Sequence, residues 1–513
     1  MTKQITVPAE KGYRRRWAGL AVLSASLLLV VMDMTILNVA LPALAADLRP
    51  GSVELLWMVD VYPLVLSGLL VSVTALGDRW GRKRMLLTGF AVFGVVSAAV
   101  VLAANPETVI ALRALLGVGG AMIMPSTLSM IRAMFADPRE RATALGVWSA
   151  MAAVGSALGP ILGGLLVERF SWQAAFLVNV PVMVVAVIAG AFLLPESRNP
   201  TPGRWDFPGT LLSMAGMVAL VYAIKHAGSD GFAAPATLAA FAVAALCLGW
   251  FAARCLRRPD PLLEIRLFRR PAFAAGVVAA LSTSMAMAGM MLLIAQWMQL
   301  VLGYSALQTG LLLLPAAVAG GVVAPLTPAL AARTGARAVL AGGLLLSAAG
   351  YAALFLAPSP LGLGWATAGL VLIGAGMGSL TIASAVIMSS SPAAKSGSAA
   401  AIEETAYELG GALGVAVLGS VAAAVYRAGL PVARLTELVA AGGEAAARES
   451  LAGALAVAAA LGAEGAQVAE EARRAFVTAL ETFGLAGAVL MLAAAAAVWL
   501  LAPRTLDLSA SQH

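Results

Sequence analysis

The chain has 513 residues, 61% hydrophobic and only 12% charged, with a net charge of +7 and a mean hydropathy of +0.92. Soluble domains carry about a quarter charged residues, so this composition excludes a soluble fold and points to many membrane-spanning helices. The two cysteines share one apolar run, which excludes a disulfide framework and a cysteine-held metal cluster; with two histidines in all, carboxylates must carry any intramembrane proton.

The polar, basic start ends in Arg14, Arg15 and Arg16 and leads into an apolar stretch long enough to span rather than to be cleaved. Spanning helices are predicted at about 17–45, 57–77, 85–104, 109–134, 142–168, 172–195, 205–225, 233–256, 271–301, 309–332, 336–357, 364–390, 396–427 and 475–502. With the N-terminus in the cytoplasm, the alternate loops on that side hold most of the 33 basic residues. Lys3, Lys11, Arg84, Arg132, Arg198, Arg204, Arg269, Arg337, Lys395 and Arg504 are among them, which predicts fourteen helices with both termini inside. TALGDRWGRKRM (74–85) has an echo in ALAARTGARAVL (329–340). The spacing suggests a six-helix half (1–198), two inserted helices (199–258) and a second six-helix half (259–513). An Ala-rich stretch at 428–474 reads as an extracytoplasmic helical hairpin before the last helix.

A charge at the bilayer centre costs about 2.5–3.5 kcal/mol on insertion scales. The deep ones are Asp33 in VVMDMTILNVALP, Asp60, Arg113, Glu403, Glu404 and Glu408, with Glu404 and Glu408 on one helical face. Arg113 can bridge one acid structurally but cannot neutralise five, so some must be protonated part of the time, as a proton relay or cation site requires. Asp60 has an interfacial reading as well, because its helix is predicted to begin near Trp57. Candidate substrate contacts are Met32, Asn38, Trp57, Tyr62, Trp148, Trp297 and Tyr407, since aromatic faces attract cations and Met adapts to varied shapes.

Two further motifs suggest conformational gating. GDRWGRKR (77–84) sets Asp78 against Arg79, Arg82 and Lys83 across a turn at Gly81, a cluster able to lock and release two helices. GSALGPILGG (155–164) spaces Gly155, Gly159 and Gly163 four apart for close helix contact, with Pro160 adding a bend.

DMTILNVALP (33–42), GDRWGRKR, RALLGVGGA (113–121), GSALGPILGG and EETAYELG (403–410) together resemble the motifs of major facilitator superfamily transporters. Within that superfamily the chain is similar to the fourteen-helix drug:proton antiporters of the quaternary-ammonium type. The resemblance implies an all-α polytopic membrane protein with the superfamily fold, two six-helix halves plus two inserted helices. It also implies alternating access, in which Asp33 or the acids at 403, 404 and 408 exchange a cationic drug for a proton and Arg113 modulates the exchange. Thr74 and Leu116 depart from the loop and helix 4 motifs, and helix 10 lacks the acid some relatives carry, which predicts a preference for singly charged cargo.

The expected function is proton-coupled multidrug efflux of lipophilic cations, such as quaternary ammonium compounds and cationic dyes, across a bacterial cytoplasmic membrane. The expected partners are those drugs, protons and membrane lipids; no enzyme activity, cofactor, metal or nucleic acid is expected, and the protein is expected to be a monomer. The alternatives are export of another metabolite or lipid, and a membrane sensor on the same scaffold. There is no Walker A, HExxH or GxSxG motif to support an ATP-driven pump or a hydrolase.

Overall fold

A computed structural model describes residues 15–135, 137–196, 206–258, 261–358, 360–392, 395–430, 441–462 and 465–503. Lys3, Lys11, Arg14, Arg198, Arg204, Arg504, segment 431–440 of the predicted hairpin, and the side chains of Asp78 and Arg132 lie outside that description.

Fourteen helices among the described residues are long and apolar enough to span a membrane. They are helix 1 (Arg16–Leu48), helix 2 (Ser52–Trp80), helix 3 (Arg82–Ala99), helix 4 (Pro106–Met134), helix 5 (Pro138–Arg169), helix 6 (Ala174–Leu193) and helix 7 (Phe207–Asp230). Helix 8 (Pro235–Arg257), helix 9 (Pro271–Val301), helix 10 (Ala306–Thr334), helix 11 (Ala336–Phe355), helix 12 (Leu363–Ser389), helix 13 (Ser398–Gly429) and helix 14 (Gly465–Leu501) follow. Local chemistry sets many of the starts. Proline opens helices 4, 8 and 9, where its missing N–H costs nothing. Asn105 accepts from the Thr108 N–H at 2.9 Å, and Ser305 with Gln308 forms a capping box on helix 10. The two echo motifs share a turn: Gly81 has φ 112° and Gly335 φ 88°. That region suits a residue without Cβ, so both loops reverse the chain through glycine.

Four helices differ most from their predicted form, the first being helix 14, which begins at Gly465 and so takes in the last part of the predicted hairpin. Helix 7 continues past residue 225 to Asp230, which places Lys225 inside it rather than at its end. Helix 10 passes through a 3-10 turn at Ala324–Leu326. Helix 12 breaks between Met377 and Leu380, beside that turn. The Thr327 and Thr381 hydroxyls meet there at 2.6 Å, and Thr381 donates to the Gly378 carbonyl at 3.0 Å. Side-chain hydroxyls thus satisfy backbone that the breaks release, as apolar surroundings require.

Two apolar cores form. One gathers Leu23, Met32, Phe90, Phe93, Ile123 and Phe176 from helices 1–6. The other gathers Trp297, Leu340, Tyr351, Ile373, Phe483 and Met491 from helices 9–14. Helices 7 and 8 pack on each other and sit at the seam. Met217 and Val221 of helix 7 contact Leu64 of helix 2 and Ala412 and Ala416 of helix 13, and the Thr210 and Ser72 hydroxyls meet at 2.5 Å. Two short helices, Ala441–Glu449 and Leu451–Ala460, lie before helix 14. They define the hairpin face of the molecule; the opposite, basic face carries Arg79, Arg82 and Lys83 after helix 2.

Asp206 fastens helix 7 to helix 8 at the basic face. Its carboxylate caps helix 7 by accepting from the Gly209 N–H at 3.2 Å and pairs with Arg254 at 2.8 Å and Arg258 at 3.2 Å. Burial pulls this carboxyl upward, but the Arg254 and Gly209 hydrogen bonds and the two guanidinium charges hold it below its ordinary value. A depressed carboxyl contributes stability above its unfolded value, near 4, and loses it as pH falls through the folded one. Asp206→Ala is expected to lower the melting temperature in detergent more than Asp206→Asn, which retains a capping oxygen; cap loss alone costs about 1 kcal/mol. The margin between wild type and Asp206→Asn is expected to hold at pH 7 and to shrink progressively as pH falls below about 4.

Candidate functional site

Between the two cores lies a cavity of about 500 Å³, the size class of drug-binding pockets. Its wall is mostly apolar and rich in methionine, with Met34, Met287, Met291 and Met377, and its polar groups come from Asn38, Asp60, Arg113, Ser284, Tyr407 and Glu408. Met side chains adapt to differently shaped ligands, so this lining suits varied cargo.

Asp33 lies behind Arg113, fully buried, and does not line the cavity. Arg113 Nη1 donates to Asp33 Oδ2 at 2.8 Å, and Arg113 Nε donates to the Met58 carbonyl at 3.1 Å. Asn179 at the start of helix 6 donates to Asp33 Oδ1 at 2.9 Å. The guanidinium carbon stands 4.7 Å from the Tyr62 ring centroid. A carboxylate in helix 1 is therefore tolerable because helices 4 and 6 each aim a donor at it, while the Met58 carbonyl of helix 2 steadies the guanidinium. Leu116 does not leave Arg113 without polar company; that company is the Met58 carbonyl and, through Asp33, Asn179.

Asp60 belongs to a different pair. It is fully buried, which corrects the interfacial reading, and its carboxylate lies 3.0 Å from Lys225 Nζ of helix 7. Lys225 Nζ also stands 4.2 Å from the Trp57 ring centroid. There are thus two embedded cations beside the cavity, not one. On helix 13, Glu403 accepts from the Tyr407 hydroxyl at 3.3 Å, and Ser284 donates to the Tyr407 carbonyl at 2.5 Å. Glu408 faces the cavity and has no ion-pair partner among the described residues. Glu403 and Glu404 are not part of the lining.

Of the expected contacts, Asn38 and Tyr407 line the cavity. Met32 and Trp297 are buried in the two separate cores. Tyr62 sits under Arg113, Trp57 under Lys225, and Trp148 donates its indole N–H to Thr127 at 3.2 Å. Lys225 and Asn179 escaped the sequence reading; Asn179 is an isolated polar residue in an apolar run, the same signal that singled out Asp33, whereas Lys225 is followed at once by His226 and a polar stretch.

Several close contacts join the cores from mid-membrane toward the hairpin face. Gly164 of helix 5 touches the Ala306 backbone, and Gly310 of helix 10 touches the Pro160 carbonyl. Ser305 donates to Glu168 at 3.0 Å, and Gln299 donates to the Val39 carbonyl at 3.1 Å. At the basic face the described ion pairs stay within one core: Arg16 with Glu140 at 2.6 Å, Arg84 with Glu196 at 3.9 Å, and Lys395 with Glu264. Close packing thus joins the two cores on the hairpin side of the cavity.

The sequence pattern described as the Major Facilitator Superfamily matches residues 23–415. The chain belongs to that superfamily. Among its relatives, the multidrug efflux pump LfrA of Mycolicibacterium smegmatis is 43% identical over 94% of this chain and 96% of its own. The methyl viologen resistance protein SmvA of Salmonella typhimurium is 36% identical over 79% of this chain and 82% of its own. A bacterial homologue of the human lysosomal transporter Spinster shares the fold, with a TM-score of 0.66 at 18% identity over 96% of this chain and 97% of its own. The protein is a multi-pass inner-membrane transporter of this superfamily and not an enzyme.

The superfamily's loop after helix 2 is engaged here on its basic side. Arg82 donates to the Ser129 carbonyl at 3.5 Å and Lys83 to the Ala191 carbonyl at 2.7 Å, reaching helices 4 and 6. On helix 5, a Cβ at Gly155 would stand 2.5 Å from the Leu28 carbonyl and one at Gly163 2.6 Å from Ile36; Gly159 faces Thr35 just as closely. The glycines let helix 5 lie against helix 1, while Pro160 and Gly164 meet helix 10. Gly310→Val is expected to wedge that second seam apart at an overpacking cost of about 1–3 kcal/mol. Drug export should fall roughly tenfold or more while equilibrium drug binding persists; export at the wild-type rate would show that the seam tolerates the added bulk.

Proposed function

We propose that the protein is a proton-coupled multidrug exporter of lipophilic cations working by alternating access. The observation that carries this reading is Glu408, a buried carboxylate on an apolar, Met-lined wall with no described cation to pair with. An ionised carboxylate in such a wall is costly without a partner, and a cationic drug or a proton each relieves that cost. The two cannot do so together, which couples them. The sequence relationship to efflux and resistance proteins supports drug export, and methyl viologen, the compound in one relative's name, carries quaternary nitrogen.

The basic face is assigned to the cytoplasm by the positive-inside rule, so the cavity as described receives cargo from inside. Cargo pairs with Glu408 between Tyr407 and the methionines. The two six-helix units, with helices 7 and 8 inserted between them, then rock about the cavity. A proton arriving from the hairpin side neutralises Glu408 and releases the cation. Asp33 and Arg113 act beside this exchange: the guanidinium lines the cavity and can move between Asp33 and Glu408 as the latter changes charge. Asp78, Arg79, Gly81, Arg82 and Lys83 lock the basic face in one state, and the helix 5 glycines guide the movement.

The test is uptake of ethidium into everted vesicles or proteoliposomes with an imposed pH gradient. Accumulation that collapses when the gradient is dissipated is the expected result. Accumulation indifferent to the gradient removes the coupling, and no accumulation removes the cargo class.

A further inference from the structure

The two buried ion pairs beside the cavity are built differently. Asp33 and Arg113 are satisfied by aligned hydrogen bonds from Asn179 and to Met58. Asp60 and Lys225 have only each other: they approach to 3.0 Å, and no third group is described as hydrogen-bonding to either of them. A buried pair without supporting hydrogen bonds recovers little of its desolvation cost. What surrounds Lys225 Nζ is a carboxylate at 3.0 Å and the Trp57 face with its centroid at 4.2 Å. Those two groups are what a protein uses to hold an organic cation. Asp60 is also one of the residues lining the cavity.

We propose that Asp60 and Trp57 form a second cation site in the cavity wall, already filled by the Lys225 ammonium, and that this tethered cation restricts cargo to molecules with one positive charge. Resting on the cation-export reading, the proposal assigns the inserted helix 7 a part in specificity. A singly charged drug pairs with Glu408 and leaves Lys225 in place. A dication brings its second charge toward Asp60 and meets a like charge instead, a juxtaposition that is strongly unfavourable where water is excluded. Lys225 has a flexible four-carbon stem and stands five residues before the helix end at Asp230, so its head can withdraw toward that end only at the expense of its place beside Asp60.

The experiment compares ethidium, with one positive charge, and propidium, with two on the same ring system, in proteoliposomes under a pH gradient. Wild type is expected to favour ethidium. Both Lys225→Met and Lys225→Gln are expected to raise the propidium-to-ethidium ratio of kcat/KM roughly tenfold or more, and adding Asp60→Asn should remove the gain. Equal transport of the two dyes by wild type, or an unchanged ratio in either variant, overturns the proposal. So does failure of both variants to fold, which would make the pair a structural bolt. If wild type moves neither dye under the gradient, the antiport reading fails separately; the same ratio is then read from equilibrium binding of the two dyes to purified protein.

Discussion

Glu408→Gln is expected to abolish gradient-driven ethidium export. The amide keeps the shape of the side chain but can neither pair with a cation nor take up the exchanged proton. Truncating one member of a desolvated charge pair costs about 2–5 kcal/mol, so export should fall roughly a hundredfold or more. Two readouts separate this from simple misfolding. The variant should retain the wild-type melting temperature, because Glu408 has no described ion pair to lose, and its residual ethidium binding should no longer vary with pH. Glu408→Asp, which keeps the charge but retracts it by one methylene, should restore part of the pH dependence. Binding by Glu408→Gln that still rises and falls with pH as in wild type would move the exchange to another acid, with Glu403 and Glu404 next on the same helix.

The second large effect is expected at Arg113. Arg113→Met leaves Asp33 fully buried with Asn179 as its described donor, and stranding a buried charge costs about 3–5 kcal/mol. The variant should unfold at a markedly lower temperature in detergent. Asp33→Asn combined with Arg113→Met removes both charges and should recover most of that stability while transport stays lost. The dissociation of the two readouts is the diagnostic. A double variant that recovers stability and also exports ethidium would show the Asp33–Arg113 pair to be scaffold alone. A single Arg113→Met variant as stable as wild type would mean Asp33 is not held as an ion.

Much of this molecule is legible as sequence, because the bilayer demands about twenty apolar residues per span and the chain supplies them fourteen times. The motifs at Asp33, Gly81 and Gly155 are local patterns, and their residues lie at the contacts between helices 1, 2 and 5 and their neighbours. Hydropathy, however, reports length in lipid and not continuity of an axis. It runs evenly through Gly378 in helix 12 and Ala324 in helix 10, where the helices break and hydroxyls take over the hydrogen bonding. It also misplaces Lys225. A window ended at the first charge makes that residue the last of its span, whereas a lysine can sit a turn or more inside when a carboxylate and an indole receive it. Which acid lines the cavity was beyond the sequence for a related reason. Asp33 and the acids at 403, 404 and 408 all interrupt apolar runs, and only the rotation of helices 1 and 13 puts Asp33 behind a guanidinium and Glu408 at the wall.

The hairpin before helix 14 has a consequence of its own. Its side chains Ala447, Leu451, Ala454 and Ala458 belong to the core of helices 9–14, and the Tyr426 hydroxyl donates to the Ala447 carbonyl at 3.1 Å. Its hold on the other half is slight: Ala452 packs against that core, and the Glu449 carboxylate lies beside Gly51 at the start of helix 2. An element anchored so unequally across a joint travels with one side and sets the stroke of the other. In the proposed alternating-access cycle, the parting line of the hairpin face runs between Leu451 and the pair Leu55 and Leu56, which already border a small pocket there. The first surface that outside water reaches is then an apolar lip, and a departing lipophilic molecule crosses it without leaving an oily path.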